Sequence, residues 1–202
     1  MKKQDSLKLI KIVGFYVAFF IANVFYCKAV EVHGDSLFPL RSLLWVGPVF
    51  LYLHWEGKNP ISYLKLNIFM SLSFFISITA LTLFVLLAEY FTKGVLNFNQ
   101  NLSTWIDFIL LVGIVEEVVF RGFIQQKLEE IFQSFWVAAI LSSVLFAIMH
   151  IPYAKLVGFT LKDYPYVAFC GLIFSIVLKK TNSLWAVSYV HSIHNLIAIV
   201  CK

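Results

Sequence analysis

Three short stretches of this chain set acids, histidines and an amide at helical spacings inside apolar text. They are Glu116-Glu117-Val118-Val119-Phe120-Arg121, then Phe146-Ala147-Ile148-Met149-His150, then His191-Ser192-Ile193-His194-Asn195. A carboxylate beside two imidazoles can activate water: the carboxylate accepts the proton and a histidine holds or shuttles it. A neutral amide such as Asn195 can steady a developing oxyanion. The same Glu116, His150 and His191 also form a two-histidine, one-carboxylate ligand set for a divalent metal such as zinc, with an open fourth position. The chemistry such a set suits is hydrolysis of an amide within or beside a bilayer.

Helix geometry sorts these residues. Neighbours on a helix point about 100° apart, while residues four apart share a face. Glu117 and Arg121 are therefore expected to pair, and Glu116 to face a different neighbour. Helix-gluing ion pairing accounts for Glu117 and Arg121 but leaves Glu116 without a partner in lipid, where acids mark function. His150 is followed by Ile151-Pro152, and the proline ends its helix near that histidine. Taken alone, a single histidine on an apolar helix is more often a packed core residue than a ligand. His191 and Asn195 share a face, with His194 about 60° to one side. An asparagine in a membrane helix commonly bonds only to a neighbouring helix.

Depth joins the three groups. Residue 133 lies midway between 116 and 150, and the polar residues 125–130 suit the tip of a helical hairpin reaching into the cytosol. A turn near Gln133 would set Glu116 and His150 level. A second turn near Thr181-Asn182-Ser183 would put His191 about 13 Å beyond it along a helix. With the membrane surface near Gly122, Glu116 lies about 9 Å below it, so the three side chains are expected to meet a few residues beneath the cytosolic face.

The elements that must position them are membrane helices. The chain has 202 residues, 60% hydrophobic, 17% aromatic and 13% charged, with a mean hydropathy of +0.84. A soluble domain is about 45–50% apolar and about 25% charged, and such a sequence is also too apolar to be disordered. Runs free of Asp, Glu, Lys and Arg cover 12–27, 42–55, 66–88, 131–154, 164–178 and 181–201; a seventh, 105–120, is broken by Asp107, Glu116 and Glu117. Their length and lack of alternation favour helices over a closed barrel. The expected fold is all-α, a polytopic membrane protein of about seven transmembrane helices. Residues 1–104 would form the amino-terminal helices and residues 105–202 a four-helix catalytic core. Residues 94–103 are a candidate interfacial helix, and 152–163, with Pro152 and Gly158, a candidate re-entrant loop or lid.

Net charge is +5. The basic residues stand singly between apolar runs, which reads as topology signal and headgroup contact, with no nucleic-acid partner. Placing the amino terminus in the cytoplasm puts ten Lys and Arg inside and six outside, Arg41 among the six, with the carboxy terminus outside. The first run follows Lys2, Lys3, Lys8 and Lys11 with no clear cleavage site after it, so it reads as an uncleaved span. Cys27, Cys170 and Cys201 form no CxxC and read as small hydrophobes, so neither a disulfide scaffold nor a cysteine zinc site is expected. No GxSxG, Walker A or HExxH stretch occurs.

The ordered set EExxxR (Glu116, Glu117, Arg121), FxxxH (Phe146, His150) and HxxxN (His191, Asn195) resembles the CPBP family of intramembrane proteases. That family includes CAAX endoproteases and bacteriocin-processing or immunity proteins, also called Abi. Gly122 after the arginine and Thr181-Asn182-Ser183-Leu184-Trp185 before the last motif look similar too, and the likeness runs over about 105–200. It implies that Glu116 activates water with help from His150. It implies that His191 and Asn195 contribute to the oxyanion site, and that Glu117 and Arg121 order it. Both a metallo- and a metal-free glutamate mechanism are associated with the family, so a zinc-like cofactor held by Glu116, His150 and His191 is one implied option. His194 is an extra histidine the pattern does not require. The implied partners are a peptide or lipidated protein substrate and the lipid bilayer, in a bacterial plasma membrane with the amino terminus cytoplasmic. The alternatives are a non-catalytic bacteriocin immunity or membrane scaffold protein, and a proton carrier. The carrier is disfavoured because the first three runs hold almost no acids or histidines, only Glu89 and His54 near their ends.

Overall fold

The computed structural model describes residues 3–33, 38–93, 96, 98, 99, 102, 105, 106 and 111–201. Asp107 and most of the candidate interfacial helix 94–103 lie outside the described residues. Those that are described form helices and turns, with no strand among them. The elements are α1 (Lys3–His33), α2 (Phe38–Trp55), a one-turn α3 (Pro60–Tyr63) and α4 (Leu72–Lys93). They continue with α5 (Val112–Glu117), a π-helical turn (Val118–Ile124), α6 (Gln125–Phe132) and α7 (Phe135–Met149). The last are the short α8 (Ala154–Val157), α9 (Asp163–Thr181) and α10 (Leu184–Val200).

Stretches Gln4–Val32 and Leu72–Thr92 are long and apolar enough to cross a membrane, whereas α7 and α10 are apolar but shorter. The face of α4 is left almost bare by its neighbours; Phe84 and Phe91 point outward from it, as expected of a helix solvated by lipid. It is tied to α10 by a hydrogen bond between the Thr79 and Tyr189 hydroxyls (2.6 Å) and by Phe75 against the Tyr189 ring (5.1 Å).

Two turns sit where the sequence puts them. Gln133 ends α6 with φ 51°, and Asn182 ends α9 with φ 52°, the left-handed stop that polar residues tolerate best. Ser183 then caps α10 by accepting from Ala186 N (3.4 Å). The run 66–88 behaves differently, since its helix begins only at Leu72. The carbonyls before that point serve α10 instead. Leu66 O accepts from Trp185 Nε1 (2.7 Å), Lys65 O from Leu184 N (3.5 Å), and Ile68 O from the Ser183 hydroxyl.

The residues 125–130 are not a free tip: Gln125 and Lys127 are buried, and of the six only Glu129 is exposed. The α2–α3 corner meets this stretch. Lys127 pairs with Glu56, while Glu130 receives Lys58 (2.8 Å) and the Tyr63 hydroxyl (2.9 Å).

Helices α5, the π turn and α6 make one rod. Its α5 end packs on α10 and α2, and its α6 end packs on α7 and α1. A side chain at Gly113 would put its Cβ 2.6 Å from Ser192 Oγ and 3.1 Å from Ser192 N, so glycine is what lets α5 and α10 approach. Within the π turn the N–H of Gln125 reaches back to Phe120 O, which also accepts from Ser142 Oγ of α7 (3.0 Å).

Candidate active site

Glu116 and Glu117 close α5, immediately before the π turn. Irregular winding of this kind often marks functional positions in helices. Both acids are buried, Glu116 at 3% exposure and Glu117 at 0%. Glu117 Oε1 accepts from Arg121 Nη1 (3.3 Å), the expected pair, and from His191 Nδ1 (2.7 Å). Glu116 does face a different neighbour. Its Oε1 lies 2.5 Å from Arg41 Nη2, and its Oε2 lies 3.9 Å from His191 Nε2. The His191 imidazole therefore stands between the two carboxylates.

Arg41 corrects the sequence reading. Counted there as an outside-loop charge, it is a buried residue of α2 and the partner that Glu116 lacked. Its guanidinium lies over the rings of Trp45 (4.9 Å) and Tyr153 (4.8 Å). Both rings are anchored on Asn23 Oδ1 of α1, by Trp45 Nε1 (2.6 Å) and the Tyr153 hydroxyl (2.5 Å). A signal existed: an arginine at the edge of an apolar run is itself a costly charge that needs a partner, and Glu116 was the acid without one.

His150 caps the carboxy end of α7, as the following proline requires. Its Nδ1 donates to Phe146 O (2.9 Å), so the neutral ring presents a lone pair at Nε2. Phe159, from the loop after α8, stacks on the ring at 5.7 Å. Phe146 stands between the two histidines, with centroids 4.8 Å from His150 and 6.1 Å from His191. Half-buried His150 is more open than the acids or His191.

His191 is stacked on Phe174 (4.7 Å). Its Nδ1 proton goes to the Glu117 carboxylate, so in its neutral form Nε2 carries a lone pair directed to the Glu116 side. Asn195 is buried one turn further along α10. His194 is drawn away from the acids: its Nε2 meets the Tyr166 hydroxyl (2.8 Å) and its Nδ1 lies 3.4 Å from Asn195 Oδ1. Arg121, 0% exposed, is sandwiched by Phe146 (4.3 Å) and Phe174 (5.3 Å). A Cβ at Gly171 would come within 2.8 Å of Arg121 Nη2, so a bare backbone makes room for that guanidinium.

Both site histidines have Nδ1 anchored by an acceptor, as metal-binding imidazoles do. The donors are nevertheless not gathered. Among the described residues no three His, Cys, Asp or Glu side chains form a group that could hold a metal ion. One Glu116 oxygen is also occupied by Arg41. Glu116, His150 and His191 do not fit a resident ion in this arrangement.

A family model described as Type II CAAX prenyl endopeptidase Rce1-like matches residues 98–197. No curated protein and no solved structure matches the chain. The matched segment contains all three motifs and excludes Arg41.

Proposed function

We infer, for a chain whose residues 98–197 belong to the Rce1-like type II CAAX prenyl endopeptidase family, an intramembrane endopeptidase that uses Glu116 to activate water. That family is one of membrane-embedded proteases, which favours catalysis over an immunity or scaffold role. The observation that carries the mechanism is the division of labour at Glu116. One oxygen is held by Arg41, and the other faces His191 Nε2 across 3.9 Å. A gap of that width between two polar atoms suits a single bridging water.

In the proposed reaction that water attacks the carbonyl carbon of the scissile amide and Glu116 Oε2 takes its proton. The carbonyl π pair moves to oxygen, and the Asn195 amide N–H donates to the resulting oxyanion. As the C–N bond breaks, the proton held by Glu116 passes to the leaving nitrogen, giving a carboxylic acid and an amine. His150, at the more open edge, shuttles protons between the site and the surroundings. His191 donates to the oxyanion only when protonated, because its Nδ1 proton is committed to Glu117. Glu117 then stabilises the imidazolium, as the buried acid does in catalytic triads. Metallo-type chemistry would need donors closer together than these.

The substrate class that follows from the family is a CAAX-type peptide tail, lipidated or not, with a bacteriocin-like peptide as the second reading. The proposed setting is a bacterial plasma membrane with the amino terminus cytoplasmic. The test is cleavage of a fluorogenic CAAX peptide, farnesylated and bare, by the protein in proteoliposomes. Glu116→Gln and His150→Ala are each expected to lower kcat by about 10²–10⁴-fold. Cleavage that survives both substitutions overturns the reading.

A further inference from the structure

We propose that Arg41 is a positioning residue for the water-activating carboxylate, so that the catalytic unit reaches into the amino-terminal half of the chain. The inference rests on the proteolytic reading above and extends it to a residue outside the family segment. Three observations carry it.

The contact is close, 2.5 Å from Arg41 Nη2 to Glu116 Oε1, and both side chains are buried. The guanidinium is also held in a built setting. Trp45 and Tyr153 flank it, and both of those rings are fixed by hydrogen bonds to Asn23. Residues of α1, α2 and the turn after α7 thus converge to set the place of one cation. Lastly, the bond distinguishes two otherwise equivalent oxygens. The terminal torsion of a glutamate is broad and roughly two-fold, so an untethered Glu116 would present either oxygen, at varied angles, to His191. With Oε1 fixed, Oε2 is the oxygen directed at His191 Nε2.

A purely adhesive role explains less. Replacing a buried ion pair by apolar side chains is often neutral or stabilising, so joining α2 to α5 does not call for one. Lysine would not substitute either, since it lacks the planar fork that stacks between aromatic rings while bonding a carboxylate.

The experiment uses the full chain in proteoliposomes with the fluorogenic CAAX peptide, measuring kcat and KM separately. Arg41→Lys is expected to lower kcat on the order of 10²-fold, the scale of a small misplacement of a reacting group, with KM within about two-fold. Arg41→Ala is expected to regain kcat on addition of guanidinium, which refills the gap, and not with methylammonium at the same ionic strength. Full kcat in either variant overturns the proposal, and so does a loss that guanidinium fails to restore. Glu116→Gln, run alongside, separates the two failures. If it cleaves at the parent rate, Glu116 is not the group that activates water and that part of the reading above falls; if it is inactive while the Arg41 variants keep full kcat, only the role of Arg41 falls.

Discussion

Glu117 shows how much a single position carries. It binds Arg121 and His191 with the same oxygen while fully buried. Glu117→Gln keeps the shape but leaves the 0% exposed Arg121 without its countercharge. Breaking a buried pair from one side costs about 3–5 kcal/mol, so a drop of that size is expected in unfolding measured in detergent. Replacing both partners, as Glu117→Gln with Arg121→Met, is expected to recover a large part of it. If the double variant is as unstable as the single one, the loss lies in the His191 contact instead. The pairing of Glu117 with Arg121 was legible because it depends only on spacing. The pairing of Arg41 with Glu116 was legible only indirectly, as two costly charges each in need of a partner, because the two lie 75 residues apart and no spacing rule joins them. Chelation belongs to this scale as well. Because the donors are not gathered into an ion-holding group, cleavage is expected to be unchanged after prolonged EDTA treatment. Loss that zinc alone restores would restore the metallo reading.

Among the elements, the rod from Val112 to Phe132 decides the site, and its π turn is the part that could not be read beforehand. Residues 118–124 are apolar apart from Arg121, and such a run gives no cue separating winding to the fourth residue from winding to the fifth. The turn at Asn182 was legible because a short polar break interrupts long apolar text, and the turn at Gln133 because residue 133 lies midway between Glu116 and His150. The start of α4 was not, because carbonyls given up to α10 leave no trace in hydropathy. Two substitutions test the rod. Ser142→Ala removes the donor to Phe120 O and is expected to cost about 1 kcal/mol. Gly113→Ala sets a Cβ against Ser192 and the α10 backbone, where overpacking costs about 1–3 kcal/mol. The second should also lower kcat, because Ser192 adjoins His191 and any displacement of α10 moves the imidazole. A Gly113→Ala protein with unchanged kcat would mean that the α5–α10 approach is not what sets His191.

At the scale of the molecule, the two halves of the chain are tied at the site by Arg41 and, at the far end of the same rod, by an ionic cluster. There Glu56 and Lys58, beside α3, meet Lys127 and Glu130 of α6. Burial works to raise the Glu130 carboxyl, but the hydrogen bond from Lys58, the Lys127 charge and the Tyr63 hydroxyl outweigh it and hold it below the ordinary carboxylate value. Since the folded value lies below the unfolded one, about 4.3, the contribution to stability is complete above that pH and disappears as pH falls through the folded value. With its side chain 38% exposed, Glu130 is partly screened, and the effect should weaken further in high salt. Thermal unfolding in detergent should therefore be insensitive to this group from pH 7 down to about 5 and should lose its contribution below that. Glu130→Gln is expected to be less stable than the parent at neutral pH and to converge with it in acid, where the parent has lost the same charge. Parallel acid profiles for the two proteins would show that the Glu130 charge adds nothing to the tie at this end of the rod, leaving Lys127 with Glu56 to hold it.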